Sequence, residues 1–396
     1  MKECWRWFGP HDPVMLSDLP QVGATGVVTA LHNYTPGAEW PADAIAERKS
    51  MIEAAGLQWA VVESLPVSEA IKTQGPEMAH HLSAYKRSLE ALARNGIETI
   101  CYNFMPILDW TRTETHTLQP HGGTAMLFDL TDFAAFDLFL LKRTAATDDY
   151  DEALKVAAEA RLAALSEAEQ SRLIRTIIMG LPGANDGWTL DQVRERLATY
   201  DGVDATRLRQ NLIDFLGEVA PVADKLGLRL CCHPDDPPFP LMGLPRVMSS
   251  TDDYAATLAA VDVPANGATL CTGSLGVAQG FDGAEFVRRL GPRIHFVHLR
   301  NTKRLAGPDP QRPSFFEAPH LDGDTDMVGT IRALLSEEAR RKSEGHADWQ
   351  IPMRPDHGQE LLMDSDRDGL PGYPLIGRMR GLAELRGIAT ALSADT

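Results

Sequence analysis

A carboxylate and an imidazole stand side by side in Arg354-Pro355-Asp356-His357-Gly358, where a β-forming run gives way to a loop. Three other residues able to bind a metal hold comparable places earlier in the chain. They are His233 in Cys-His-Pro-Asp-Asp-Pro-Pro, Cys271 in Leu-Cys-Thr-Gly-Ser and His298 in Val-His-Leu-Arg. Alternate residues of a strand share a face. Arg229, Cys231 and His233 therefore share one, as do Phe296, His298 and Arg300, and likewise Arg354 and Asp356. Each residue alone has an ordinary reading: a hydrogen-bonded core histidine, a small buried cysteine, an aspartate that caps a loop. Four of them at four strand ends favour one divalent cation held at the mouth of a barrel.

Positioning those ends takes a regular succession of strands and helices. Candidate strands lie at 24–31, 57–63, 97–103, 228–233, 269–272, 294–299, 318–321 and 351–356. Several follow an amphipathic stretch closed by glycine, as at Gly56, Gly96 and Gly227, the pattern of a helix C-cap. Eight strands separated by helices imply an α/β fold, a closed (β/α)8 barrel of the TIM type, rather than an open sheet. No GxGxxG opens the first unit, so dinucleotide binding has little support. The third connection is long, roughly 125 residues, far beyond one crossover helix. Helical patterns at 133–145, 150–163, 166–179 and 189–199 suggest a helical insertion over 104–203, within a single domain spanning 1–396.

Composition narrows the class. The 396 residues carry a net charge of −17, which argues against binding along a nucleic-acid backbone. Local arginines and a metal can still make a cleft attractive to an anion. The start of the chain lacks the apolar core of a signal peptide, and no run is apolar enough to span a bilayer. Five scattered cysteines without a CxxC pair fit a reducing cytoplasm. A small-molecule substrate is expected, without nucleic acid or membrane, in a homo-oligomer.

Further candidates lie in loops at the mouth. Arg112, in the stretch Asn103 to Thr113, suits a bidentate clamp on a carboxylate, though a purely structural loop is equally natural. Asp235 and Asp236 sit in a Pro-flanked turn and are first of all turn formers, with Asp235 a candidate for substrate hydroxyls. Arg300 falls beside the metal if His298 points inward. Tyr373 occupies the Gly/Pro-rich loop Leu370-Pro371-Gly372-Tyr373-Pro374, where packing is the default role. His32, Glu63 and His320 end further candidate strands.

The chain also resembles the mannonate dehydratases of hexuronate degradation, a family of xylose-isomerase-like TIM barrels. The resemblance is carried by Trp5-Arg6-Trp7-Phe8-Gly9-Pro10, by 23–32, by 101–113, by His233-Pro234-Asp235-Asp236-Pro237-Pro238, and by Cys271-Thr272-Gly273-Ser274. His298-Leu299-Arg300 and Arg354-Pro355-Asp356-His357-Gly358 complete it. It implies loss of water from D-mannonate to give 2-keto-3-deoxy-D-gluconate. It further implies Mn2+ or Fe2+ on His233, Cys271, His298 and Asp356, with His357 and Tyr373 as the acid/base pair. Such a reaction removes the weakly acidic proton beside a carboxylate and then expels the next hydroxyl, so it needs charge neutralisation, a base and an acid. His357 as acid and Tyr373 as base is the expected order, provided neighbouring charge acidifies the phenol; the reverse stays open. The rival readings are a metal-dependent sugar isomerase on the same scaffold and a non-catalytic sugar-acid-binding protein.

Cys271 generates a first prediction. A thiolate suits a borderline transition metal and matches Mg2+ poorly. Chelated protein should recover its activity with Mn2+ or Fe2+; full recovery with Mg2+ alone would remove Cys271 from the ligand set.

Overall fold

The computed structural model describes residues 1–179, 188–367 and 369–394. Twelve strands are found among them: β1 (Lys2–Arg6), β2 (Gly26–Thr29), β3 (Gln58–Glu63), β4 (Thr99–Tyr102), β5 (Glu114–Leu118), β6 (Thr124–Phe128), β7 (Arg229–Cys232), β8 (Asn266–Cys271), β9 (Ile294–His298), β10 (Asn301–Arg304), β11 (Phe315–Ala318) and β12 (Pro352–Arg354). Eight of them close a barrel in the order β1-β12-β9-β8-β7-β4-β3-β2, every neighbouring pair parallel. Helices link the strands, several begun by a side-chain cap such as Asp204, Ser250, Asp282 or Asp326. Gly56, Gly96 and Gly227 all have positive φ just past a helix, where a Cβ would be strained.

The expected (β/α)8 barrel is present, with one strand exchanged. The first strand is Lys2–Arg6, which lies between β12 and β2. The run 318–321 is not a barrel strand. Chain just before it forms β11, which joins an antiparallel sheet of order β10-β11-β6-β5 beside the barrel. That sheet also corrects the insertion. Its later part is helical, with Glu152–Ala164, Glu167–Met179 and Leu190–Ala198, but it opens with the β5–β6 hairpin. Pairing of β6 with β11 decides this locally, since a strand edge far later in the chain, with Phe315 opposite Phe128 and Phe316 opposite Leu127, supplies the hydrogen bonds. Residues 180–187 of the expected insertion lie outside the described residues.

Strand parity stacks the barrel interior in layers. Cys4, Val28, Val61, Cys101, Cys231 and Phe296 form a fully buried cluster of mostly small side chains around one ring. Two residues further along the same strands, or along their direct extensions, stand Arg6, Glu63, His233 and His298, with Cys271 and Arg354 on neighbouring strands. The register sets Cys271 and Arg354 on either side of His298. A dry apolar floor thus lies directly under a charged mouth. Phe296 belongs to both, since its ring meets His298 edge-on at 4.5 Å and 88°.

Phe296→Ala should therefore cost about 3–5 kcal/mol of stability, the range for emptying a close-packed core site. Urea unfolding of chelated protein measures this without a contribution from bound metal. A loss below about 1 kcal/mol would mean that the layer collapses to fill the gap.

Candidate active site

Among the described residues, His233, Cys271 and His298 present ligand atoms all within 4.8 Å of one another. His233 Nδ1 donates to the Pro234 carbonyl at 2.7 Å, which turns Nε2 toward His298 Nδ1, 3.1 Å away. On its far side His298 Nε2 faces the Glu63 carboxylate at 3.5 Å. A carbonyl or carboxylate behind each imidazole is the usual support for a metal-binding histidine. Asp356 completes the corner from β12, with Oδ2 at 3.7 Å from Cys271 Sγ and 3.8 Å from His298 Nδ1. Its φ of +61° lies in the left-handed region, which aspartate tolerates better than most residues.

The electrostatics suit a cation. Burial opposes ionisation of Cys271, yet Arg300, His233 and His298 hold its thiol well below the ordinary range. Burial likewise opposes a charge on His233, but the Cys271 sulfur draws it up to about 10. An imidazolium beside a thiolate is a proton placed where a divalent ion fits better, since metal binding releases ligand protons. Two nitrogens, a thiolate and a carboxylate are also a donor set for a borderline transition metal.

Around this corner runs a buried chain of opposite charges. Arg354 holds Glu63 through Nε and Nη2 at 3.0 and 2.8 Å and also reaches Asp356. Arg300 forms an ion pair with Asp356, its Nε 2.8 Å from Oδ2, and hydrogen-bonds Glu317 through Nη1 at 2.5 Å and Asp236 through Nη2. Arg112 spans Asp236 at 2.8 Å and Glu317 at 2.6 Å. Burial opposes the charge on Asp356, but Arg354, His357 and Arg300 keep it well below the usual carboxylate range; Arg300 and Arg112 likewise hold Glu317 down to about 2. Gly273 makes room for this chain, because a Cβ there would meet the Arg300 side chain at 2.4 Å.

His357 and Tyr373 meet above the corner, Nε2 to hydroxyl at 3.1 Å with their rings perpendicular. Trp110 packs edge-on against His357 at 5.9 Å and Phe8 against Tyr373 at 4.7 Å. Burial pushes the Tyr373 phenol up to about 12. Arg354 and Arg6 pull it down, and Asp356 and Glu63 oppose them. The acidified phenol expected from sequence is thus not produced by the chain's own charges. One cavity collects Glu63, Asn103, His233, Asp236, Asp356, His357 and Tyr373 on its walls, together with Arg300 and Arg354.

The family model described as D-mannonate dehydratase (UxuA) matches residues 1–396. A mannonate dehydratase of Rhizobium meliloti (strain 1021) is 53% identical over 396 residues, covering 100% of this chain and 98% of the relative. That of Chromohalobacter salexigens is 54% identical over 392 residues, covering 99% of each. The chain belongs to the D-mannonate dehydratase family. The crystal structure of a mannonate dehydratase from Streptococcus suis serotype2 superposes with a TM-score of 0.77 at 29% identity, over 100% of this chain and 95% of that one. A xylose isomerase-like TIM barrel protein from Mycobacterium smegmatis, at TM-score 0.50 and 13% identity, covering 96% of this chain and 87% of that one, shares the fold.

Not every residue expected at this dehydratase-type site reaches the cavity. Asp235 turns away and accepts from the Met248 amide at 2.7 Å and the Ser249 hydroxyl at 2.8 Å, so it ties two loops together. Its neighbour Asp236 lines the cavity instead. Arg112 is fully buried behind Asp236 and Glu317, with its guanidinium 5.0 Å from the Trp110 ring centre and 4.8 Å from that of Phe315. It is therefore a support for the wall and not a clamp on substrate. His320 bonds the Pro355 carbonyl at 2.8 Å and braces the loop that carries Asp356. Glu317 escaped notice in the sequence. Its signal was a lone carboxylate within the apolar run Phe315-Phe316-Glu317-Ala318.

Metal holding and proton transfer are separable by substitution. His233→Ala and Asp356→Asn should lose the ion, whereas His357→Asn should retain it, as read by metal analysis of the purified variants. Release of the ion by His357→Asn would move His357 into the ligand set.

Proposed function

We propose that this chain catalyses the dehydration of D-mannonate to 2-keto-3-deoxy-D-gluconate, with His233, Cys271, His298 and Asp356 holding Mn2+ or Fe2+. One observation carries the reading: the cavity lined by His233, at the edge of a cluster fit for a metal, and by Asp356 also holds a histidine–tyrosine pair in hydrogen-bond contact. Family membership supplies the substrate class, a sugar acid. The cation would offset the charge that builds up when the carbon beside the carboxylate loses its proton.

The remaining work falls to the chain. Arg300 and Arg354, both on the cavity wall, draw the anionic substrate in. His357 and Tyr373 handle the two protons, His357 toward the departing 3-hydroxyl and Tyr373 toward the C2 proton. Trp110 and Phe8 exclude water from that pair, where a low dielectric strengthens every polar contact. The chain works as one domain in this proposal, a reading supported by the pairing of the insertion's β6 with β11. A cytoplasmic setting belongs to it as well and is supported by five unpaired cysteines. No described helix is long and apolar enough to cross a membrane.

Incubation with D-mannonate tests the reading, since an isomerase retains every hydroxyl and a binding protein turns nothing over. A 2-keto-3-deoxy acid should accumulate, and its absence from metal-loaded protein would sink the proposal. Tyr373→Phe should lower kcat by about 10²-fold or more, with KM and metal content nearly unchanged. A variant that keeps full kcat would return Tyr373 to a packing role.

A further inference from the structure

The barrel has a second cavity, of about 350 Å³, at the end opposite the candidate active site. Its walls come from the starts of strands, among them Lys2 of β1, Thr99 of β4 and Arg229 of β7. One inward step further along these strands stand Cys4, Cys101 and Cys231, in the buried layer that separates this cavity from the metal corner. Among the described barrel pairs the register slips twice, and each slip gives one strand an extra residue: Ala60 in β3 and His295 in β9. A bulge of this kind re-aims the extra side chain. Both extra residues lie on the wall of the cavity.

His295 is only 7% exposed, and its ring is fixed along one edge. Nε2 donates to the Pro264 carbonyl at 3.2 Å, and Gly267 packs so close to Cδ2 and Nε2 that a Cβ there would clash with both. Nδ1 is the ring atom opposite that edge, and among the described residues it has no hydrogen-bond partner. Burial, helped by the charges of Arg229 and Arg341, holds the imidazole down to about 3, so the ring is neutral and Nδ1 keeps a lone pair. That nitrogen needs a donor. An ammonium would be repelled by the same two arginines, which leaves a hydroxyl. The cations of the wall are not equally engaged. Arg229 is shared between Glu98 at 3.0 Å and Asp348 at 2.8 Å, and Arg341 bonds Glu337 and two carbonyls. Lys2 pairs with no carboxylate among the described residues, and its ammonium bonds the Gln58 amide oxygen alone. Two of its three hydrogens remain for an anion.

We propose that this cavity is a second binding site, for a small hydroxylated carboxylate that donates a hydroxyl to His295 Nδ1 and sets its carboxylate against Lys2. The site stands apart from the function assigned above, because its ligand is held at the other end of the barrel by different side chains.

Two-bond 1H–15N spectra of histidine-labelled protein, loaded with diamagnetic Zn2+, test this with D-gluconate as the probe. His295 is assigned by the signal missing in His295→Gln. Its Nδ1 should be unprotonated and should move as D-gluconate is added, while any binding at the mouth moves the signals of other histidines. A protonated Nδ1, or a His295 signal that millimolar D-gluconate leaves in place, overturns the proposal. Hexanoate lacks the hydroxyls and sorbitol lacks the carboxylate, so each should bind at His295 about tenfold more weakly or worse. Either one matching D-gluconate would overturn the ligand class. Lys2→Met should weaken D-gluconate by a similar factor, and an unchanged affinity there would also count against it. Ala347 lines the cavity from an exposed loop, so Ala347→Trp fills the space without touching the core. That variant should lose the His295 response and keep the wild-type signals of His233, His298 and His357. A response that survives would place D-gluconate outside the cavity and sink the assignment.

Discussion

Four guanidinium groups and four carboxylates are buried together at one end of the barrel, and no member is tolerable there without the others. Arg6, Arg112, Arg300 and Arg354 alternate with Glu63, Asp236, Glu317 and Asp356, each at most 6% exposed. Taking an isolated charge out of water costs several kcal/mol, and removing one partner of a buried pair leaves that cost uncovered. The geometry of the mouth is therefore over-determined. Glu63 comes from β3, Arg354 from β12, Glu317 from β11, and Arg112 from the loop that opens the insertion. Ion pairs through Glu317 join the side sheet to the barrel here, beside the apolar packing of Phe128 and Phe315.

The metal corner inherits its shape from that network. Asp356 could swing freely as the end of a short strand, but Arg354 and Arg300 grip its two oxygens from different sides. Glu63, set by Arg354, stands behind His298. Against burial, Arg300 is the chief group that holds the Cys271 thiol below its ordinary range, and Arg300 can be there because Gly273 carries no side chain. Ligands placed in this way are pre-organised, so binding an ion need not order them. The arrangement has a cost in stability, since a hydrophobic mouth of equal volume would hold the fold at least as well.

Much of this was legible because the side-chain period of a strand is two. Parity alone placed His233, His298, Arg300 and Asp356 on inward faces, and it placed Cys231 and Phe296 on the same faces beneath them. Glycine-closed helices marked where strands begin. The first strand was missed because Lys2, Glu3 and Arg6 are three charged residues in five, and only its place between β12 and β2 makes such a segment β. The side sheet was missed for the same reason: its pairings join residues far apart in sequence, and a run such as Phe315–Ala318 does not say which sheet it will enter. Asp235 was taken in place of Asp236 because parity ends with the strand. Beyond Cys232 the chain bends through prolines, and direction can no longer be counted.

The same limit explains why Glu317 matters and could not be placed. Its carboxylate acts on the barrel from outside the barrel, through β11, which pairs with β6 of the insertion. A barrel alone can align ligands at its strand ends, since register fixes them side by side. It cannot readily set the far side of a histidine that already lies beyond the last strand. His357 follows Asp356 out of β12 into a loop, and the groups behind it come from β11 and from Arg300, just past β9. In the proposed function, metal binding would rest on the barrel's register and proton handling on what is packed on top.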